Sequence, residues 1–174
     1  IEYSDSTNIA TNFFNPNIMG PFSYIPFMEC NHAILSMSSK ANGFIVINNQ
    51  TLTFNNGTNY IEKDWGCSFP SSYIWCQGND FQKSDASFML SIAEIPFKLF
   101  HFEGVISVLR VNDLEFKFTT YNNCKVISYD IDNNSVNIIL NRGPYYLYIN
   151  ADCPNGLKLS APVKGKMERD ILES

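Results

Sequence analysis

Two short runs hold most of the side chains in this sequence that could do chemistry. Glu62-Lys63-Asp64-Trp65-Gly66 sets two carboxylates one residue apart, next to an indole. Tyr73-Ile74-Trp75-Cys76-Gln77-Gly78-Asn79 alternates aromatic and amide side chains with small ones. On an extended strand Tyr73, Trp75, Gln77 and Asn79 share one face, and Ile74, Cys76 and Gly78 share the other. The second set suits ordinary packing. The first is costly in a dry core unless its amides find partners. It therefore reads in two ways: as a pocket wall carrying Trp75, Gln77 and Asn79, or as a solvent face with two exposed aromatics. The acidic run also has two readings, a charged turn with a local salt bridge and an Asp capping nearby amides, or a catalytic or binding acid. Trp65-Gly66 reads as a packing corner, and Ser68-Phe69-Pro70 as the segment that directs the chain into the next strand.

The remaining reactive groups are sparse. Of the two histidines, His32 and His101, neither has a second ligand at metal spacing, so no metal is expected. Glu29 precedes His32 by three residues, which places the two on opposite faces of a regular strand. His32 is then either a satisfied structural histidine or a base in a pocket. There is no nucleophile elbow, no Ser-His-Asp spacing and no glycine-rich phosphate loop. Cys30, Cys67, Cys76, Cys124 and Cys153 form an odd set with no CxxC spacing. They read as free thiols in a reducing compartment, the cytoplasm, rather than as a disulfide framework.

The elements that must position these groups follow from composition and turn chemistry. Hydrophobic residues are 45% and charged residues 17% of the 174, enough apolar material for one domain with a core. Aromatics reach 14%, with fourteen Phe and nine Tyr, an excess suited to strands or to the walls of an apolar cavity. A net charge of −5 without a basic stripe argues against nucleic acid. No apolar run approaches the ~20 residues of a membrane span, and nothing indicates membrane contact.

Residues 1–27 read as irregular, broken by Asn15-Pro16-Asn17, Gly20-Pro21 and Ile25-Pro26. Strands are expected near 28–37, 43–48, 50–54, 72–81, 86–94, 103–110, 113–121, 123–131, 134–141, 145–150, 157–161 and 164–169. Asn42-Gly43, Asn56-Gly57 and Asn155-Gly156 are read as hairpin tips, and Asn112-Asp113, Asn122-Asn123 and Asn133-Asn134 as two-residue loops. No stretch of ten residues carries a helical repeat. Lys164, Lys166 and Arg169, interspersed with Glu168 and Asp170, read as a solvated edge strand. The expectation is an all-β, antiparallel, single domain: an up-and-down barrel or a strongly curled sheet, with a lined cavity.

The run Glu62-Lys63-Asp64-Trp65-Gly66-Cys67-Ser68-Phe69-Pro70, followed by Trp75, Gln77, Asn79 and Phe81, resembles the signature of the tocopherol cyclase family. Met28 to His32, Ile92 to Phe97, Phe118 to Tyr121, Ala161-Pro162 and Gly165 to Arg169 are similar to other landmarks of that family. The resemblance spans about residues 13–174. It implies a lipocalin-like barrel, related to the two-barrel arrangement of carotenoid hydratase-type proteins. Family members are typically about twice this length, so the resemblance makes this chain the second, C-terminal barrel of a longer protein.

It also implies a chemistry. Plant and cyanobacterial members close the chromanol ring of a prenylated hydroquinone without a redox cofactor. A general acid protonates a trisubstituted alkene, and the phenolic oxygen captures the tertiary cation. By this resemblance Asp64 or Glu62 is the acid, and Trp65 and Trp75 are the aromatic walls. Gln77 and Asn79 contact the quinol oxygens, with Tyr73, His32 and Glu29 nearby in the substrate site. The expected partner is a prenylquinol-like substrate or another small hydrophobic ligand. Two other readings of such a barrel are a lipocalin-like module that binds a hydrophobic ligand without catalysis, and a merely packed structural barrel.

Overall fold

A computed structural model describes residues 1–26, 28–67, 69–82, 85–97, 100–132, 135–152, 157–159 and 171–173. The strands are β1 (Glu2–Thr7), β2 (Cys30–Ile47), β3 (Gln50–Gly66), β4 (Tyr73–Gly78), β5 (Ala86–Phe97) and β6 (Phe100–Val111). They continue as β7 (Leu114–Thr119), β8 (Lys125–Ile131), β9 (Ser135–Arg142), β10 (Tyr145–Asp152), β11 (Leu157–Leu159) and β12 (Ile171–Glu173). Every strand pairing is antiparallel. The only helical elements among the described residues are two short 3-10 turns, Gly20–Tyr24 and Thr120–Asn122. The all-β, antiparallel expectation holds.

The barrel expectation needs correction. Among the described residues the strands form separate sheets, in the orders β1-β2-β3, β4-β5-β6-β7 and β10-β9-β8, with a small β11-β12 pair, and no sheet closes on itself. The reason lies in the patterning of the middle sheet. Phe88, Leu90 and Ile92 of β5 and Val105 of β6 pack with Ile138 and Leu140 of β9. The alternate residues Met89 and Val108 pack with Ile34 and Met37 of β2, on the opposite face. A sheet apolar on both faces must be covered on both. β4-β5-β6-β7 is therefore the central layer, with the other two large sheets on either side.

Local turn chemistry explains where strand boundaries differ. Residues 43–48 and 28–37 belong to one 18-residue strand, β2, and β3 runs unbroken for 17 residues. Asn42-Gly43 and Asn56-Gly57 are not hairpin tips. They lie across from each other at a shift in the β2–β3 register, where the Asn56 N–H donates to the Asn42 side chain. Asn56 and Gly43 have positive φ, the conformation of a bulge. The true tip is Asn48-Asn49, both left-handed, as a tight hairpin turn demands. Asn112 makes the expected left-handed turn between β6 and β7, whereas Asn122-Asn123 is not a two-residue loop: Asn123 is the left-handed cap of the 3-10 turn Thr120–Asn122, which carries the chain from β7 to β8 in another sheet. β1 was not expected; it pairs with β2 although its side chains are mostly exposed. The expected turns at Asn133-Asn134 and Asn155-Gly156, the strand at 164–169 with its charged edge, and Cys153 lie outside the described residues.

Candidate functional site

β3 carries Tyr60, Glu62 and Asp64 at a spacing of two, hence on one face. Across the ladder His32 pairs with Asp64, and Ile34 with Glu62, so His32 joins the same face from β2. His32 Nδ1 lies 2.7 Å from Asp64 Oδ1, and its Nε2 lies 3.3 Å from Glu62 Oε2. The first contact is a hydrogen bond. The second is at ion-pair distance but lacks hydrogen-bond alignment, and Nε2 is fully buried without a hydrogen-bond partner among the described residues. Whichever nitrogen carries the imidazole proton, a carboxylate oxygen is beside it.

Glu62 is the hub. Its Oε2 accepts a hydrogen bond from the Tyr60 hydroxyl at 2.7 Å and another from the Trp75 indole N–H at 3.2 Å. Trp75 belongs to β4, the edge strand of the central sheet, and β3 is the edge strand of the outer one. The cluster thus sits on the seam between two sheets, and one carboxylate oxygen ties them together. Burial grades along it: the Asp64 side chain is 42% exposed, Glu62 21% and His32 11%. Tyr60 is half-buried and packs against the core cluster of Ile34, Met37 and Met89. Burial, then the hydrogen bond to Glu62 and the nearby Glu62 and Asp64 charges, push the Tyr60 phenol well above its ordinary range. Cys30, paired opposite Gly66, is pushed up to about 11 by burial, with Asp64 and Cys67 adding to the effect.

Of the residues expected in the site, His32, Glu62, Asp64 and Trp75 are linked in one chain of contacts, Asp64 to His32, His32 to Glu62 and Glu62 to Trp75. Alternation on β4 is as expected: Ile74 and Cys76 pack on the core between the central sheet and β9, while Trp75 and Gln77 face the other way. The Gln77 amide nitrogen is buried without a partner among the described residues. Tyr73 opens β4 on the Trp75 face, and Asn79 lies half-buried just beyond its end. Trp65 projects from the opposite face of β3, with the Lys63 ammonium 5.4 Å from its ring centre. Glu29 lies just before β2 and engages through its carbonyl, which accepts the Cys67 N–H. Tyr60 is the residue that sequence reading missed. The signal was the Tyr60-Glu62-Asp64 alternation, hidden while 62–64 were read as a turn. They are strand residues, and the salt bridge is with His32 across the ladder rather than local.

A cavity of about 570 Å³ opens elsewhere, against Thr11, Asn12, Glu115, Lys117, Tyr121 and Arg142, and shares no residue with the His32 corner. Its charges are engaged in structure. Glu115 pairs with Lys117 and Arg110 and accepts the Ala10 N–H, which pins the N-terminal segment to the central sheet.

The chain that carries this acid, imidazole and indole corner belongs to the tocopherol cyclase-like family, on the match of that family's model to residues 10–123, roughly two thirds of the chain. Over 74 residues the chain is 30% identical to the probable tocopherol cyclase, chloroplastic, of Oryza sativa subsp. japonica. It is 31% identical over the same length to the tocopherol cyclase, chloroplastic, of Zea mays. Each match covers 42% of this chain and 16% of the relative, so the chain matches under a fifth of the length of these curated relatives. No solved structure matches the chain. Among the described residues no helix is long and apolar enough to cross a membrane.

Proposed function

We propose that the His32–Glu62–Asp64 corner is the acid centre of a cyclase or isomerase acting on a prenylated quinol or a similar apolar aromatic substrate. The observation that carries this reading is the three-way contact at Glu62 Oε2. An acid that must protonate an alkene needs a proton supply and an aromatic face for the cation it creates. Glu62 has the first in His32 and the second in Trp75. Glu62 delivers the proton. Asp64, the most exposed of the three, takes a proton from solvent and passes it through the imidazole, so that the acid is restored after each turnover. In the cyclisation a C–H bond forms at the less substituted alkene carbon. The alkene π bond is consumed, the phenolic O–H proton is released to solvent as the C–O bond closes the ring at the tertiary carbon, and the reaction is a net isomerisation without oxidation or reduction. Gln77, whose buried amide nitrogen has no partner among the described residues, and Asn79 contact the quinol oxygens in this reading.

The test is incubation with a geranyl-substituted methylhydroquinone, followed by chromatography, since cyclisation changes retention and leaves mass unchanged. Glu62→Gln is expected to lower conversion on the order of 10²–10⁴-fold. Asp64→Asn should slow repeated turnover more than the first. Saturable binding without conversion would favour a lipocalin-like carrier of hydrophobic ligands instead.

A further inference from the structure

His32 is 8% exposed, and its Nε2 is wholly buried yet finds no aligned hydrogen-bond partner among the described residues. A buried nitrogen left in that state calls for a physical explanation, and an ion is one of the few available. The other side of the ring is already fixed. Nδ1 is held by Asp64 Oδ1 at 2.7 Å, the arrangement in which a carboxylate orients an imidazole and raises the basicity of its far nitrogen. That far nitrogen faces Glu62 Oε2 at 3.3 Å. Potential ligand atoms of His32, Glu62 and Asp64 all lie within 4.8 Å of one another.

We infer that His32 Nε2 and Glu62 form a binding site for one divalent transition-metal ion of the zinc or cobalt type, with Asp64 holding the imidazole in the ligating tautomer. Tyr60 and Trp75 fix the Glu62 carboxylate by taking both lone pairs of Oε2, which leaves Oε1 to meet the ion. The spacing of ligands along the sequence hides this site, because β2–β3 pairing brings together residues some thirty positions apart. An imidazole nitrogen with a single carboxylate favours a borderline ion over calcium or magnesium, whose ligands are oxygens. The inference does not rest on the cyclase reading: an ion on Nε2 takes the position of the proton that the relay to Glu62 would use, so an ion-loaded corner is a state distinct from the proton relay, and the test needs no turnover.

Metal-free full chain is titrated with cobalt(II) chloride, followed by visible absorption and by quenching of tryptophan emission. The expected result is saturation at one ion per chain, with quenching, because the Trp75 indole sits on the ligating carboxylate. His32→Gln and Glu62→Gln should each weaken binding roughly tenfold or more, as should Asp64→Asn through the lost support of the imidazole. His101→Gln, which removes the other histidine, should leave it unchanged. Circular dichroism of each variant separates lost binding from lost fold, and if His32→Gln does not fold, Glu62→Gln decides. Failure to saturate at about millimolar cobalt would overturn the inference. So would binding that survives in folded His32→Gln or Glu62→Gln.

Discussion

Glu62 Oε2 receives hydrogen bonds from two aromatic side chains on different sheets and faces an imidazole as well. Removing one donor should therefore be felt in both stability and function. Tyr60→Phe deletes a hydrogen bond to a carboxylate in a half-buried setting. It should cost about 1–2 kcal/mol in urea denaturation. The Tyr60 phenol is held protonated in the folded state above its unfolded range, so its contribution to stability is complete below about pH 10 and is lost as pH rises beyond that. Absorbance titration should accordingly find tyrosine ionisation delayed until unfolding, and the delayed amplitude should fall in Tyr60→Phe, with Tyr121, also pushed up by burial, supplying the remainder. An unchanged delayed amplitude in the variant would contradict the assignment. At this scale the sequence was informative about residue types and less so about who meets whom. Glu62, Asp64, Trp75 and His32 stood out by chemistry, whereas Tyr60 was one of nine tyrosines until strand alternation singled it out.

At the scale of elements, the site depends on the long β2–β3 ribbon and on how it ends. Gly66 closes β3 where the chain leaves the ladder, and a Cβ there would fall 2.1 Å from the Glu29 carbonyl oxygen. That carbonyl also accepts the Cys67 N–H, so the backbone cannot easily retreat. Gly66→Ala should cost roughly 3 kcal/mol or more by chemical denaturation. Gly57, whose added Cβ would meet only the Ala41 carbonyl oxygen at 3.7 Å, should tolerate alanine within about 1 kcal/mol. Equal effects at the two glycines would contradict this account of the ribbon. The ribbon itself was only partly legible. Asn-Gly pairs favour positive φ, and that much is correct at Gly43 and Asn56. Positive φ serves a bulge as well as a hairpin tip, however, and the choice is made by pairing across the ladder. Asn48-Asn49, with the same backbone freedom, took the turn.

For the whole molecule, the all-β antiparallel class was legible from turn spacing and from the lack of any helical repeat. The layering was not. A strand such as Ser87-Phe88-Met89-Leu90-Ser91-Ile92 has one apolar face and one face of Ser87, Met89 and Ser91 that alternation marks as mixed, so its burial on both sides, and which sheet covers which face, is a tertiary fact. That layering puts Trp75 on the central sheet against Glu62 on the outer one, so the proposed chemistry requires the two sheets to be docked. The most direct test of that chemistry is the reaction of a geranyl-substituted methylhydroquinone in deuterium oxide, with the product back-exchanged into water before mass analysis. If the Glu62 corner protonates the alkene with protons drawn from solvent, each product molecule from the wild-type chain will retain one carbon-bound deuterium, and Glu62→Gln will form little product. A cyclised product free of carbon-bound deuterium, or one formed equally well by Glu62→Gln, would contradict the account.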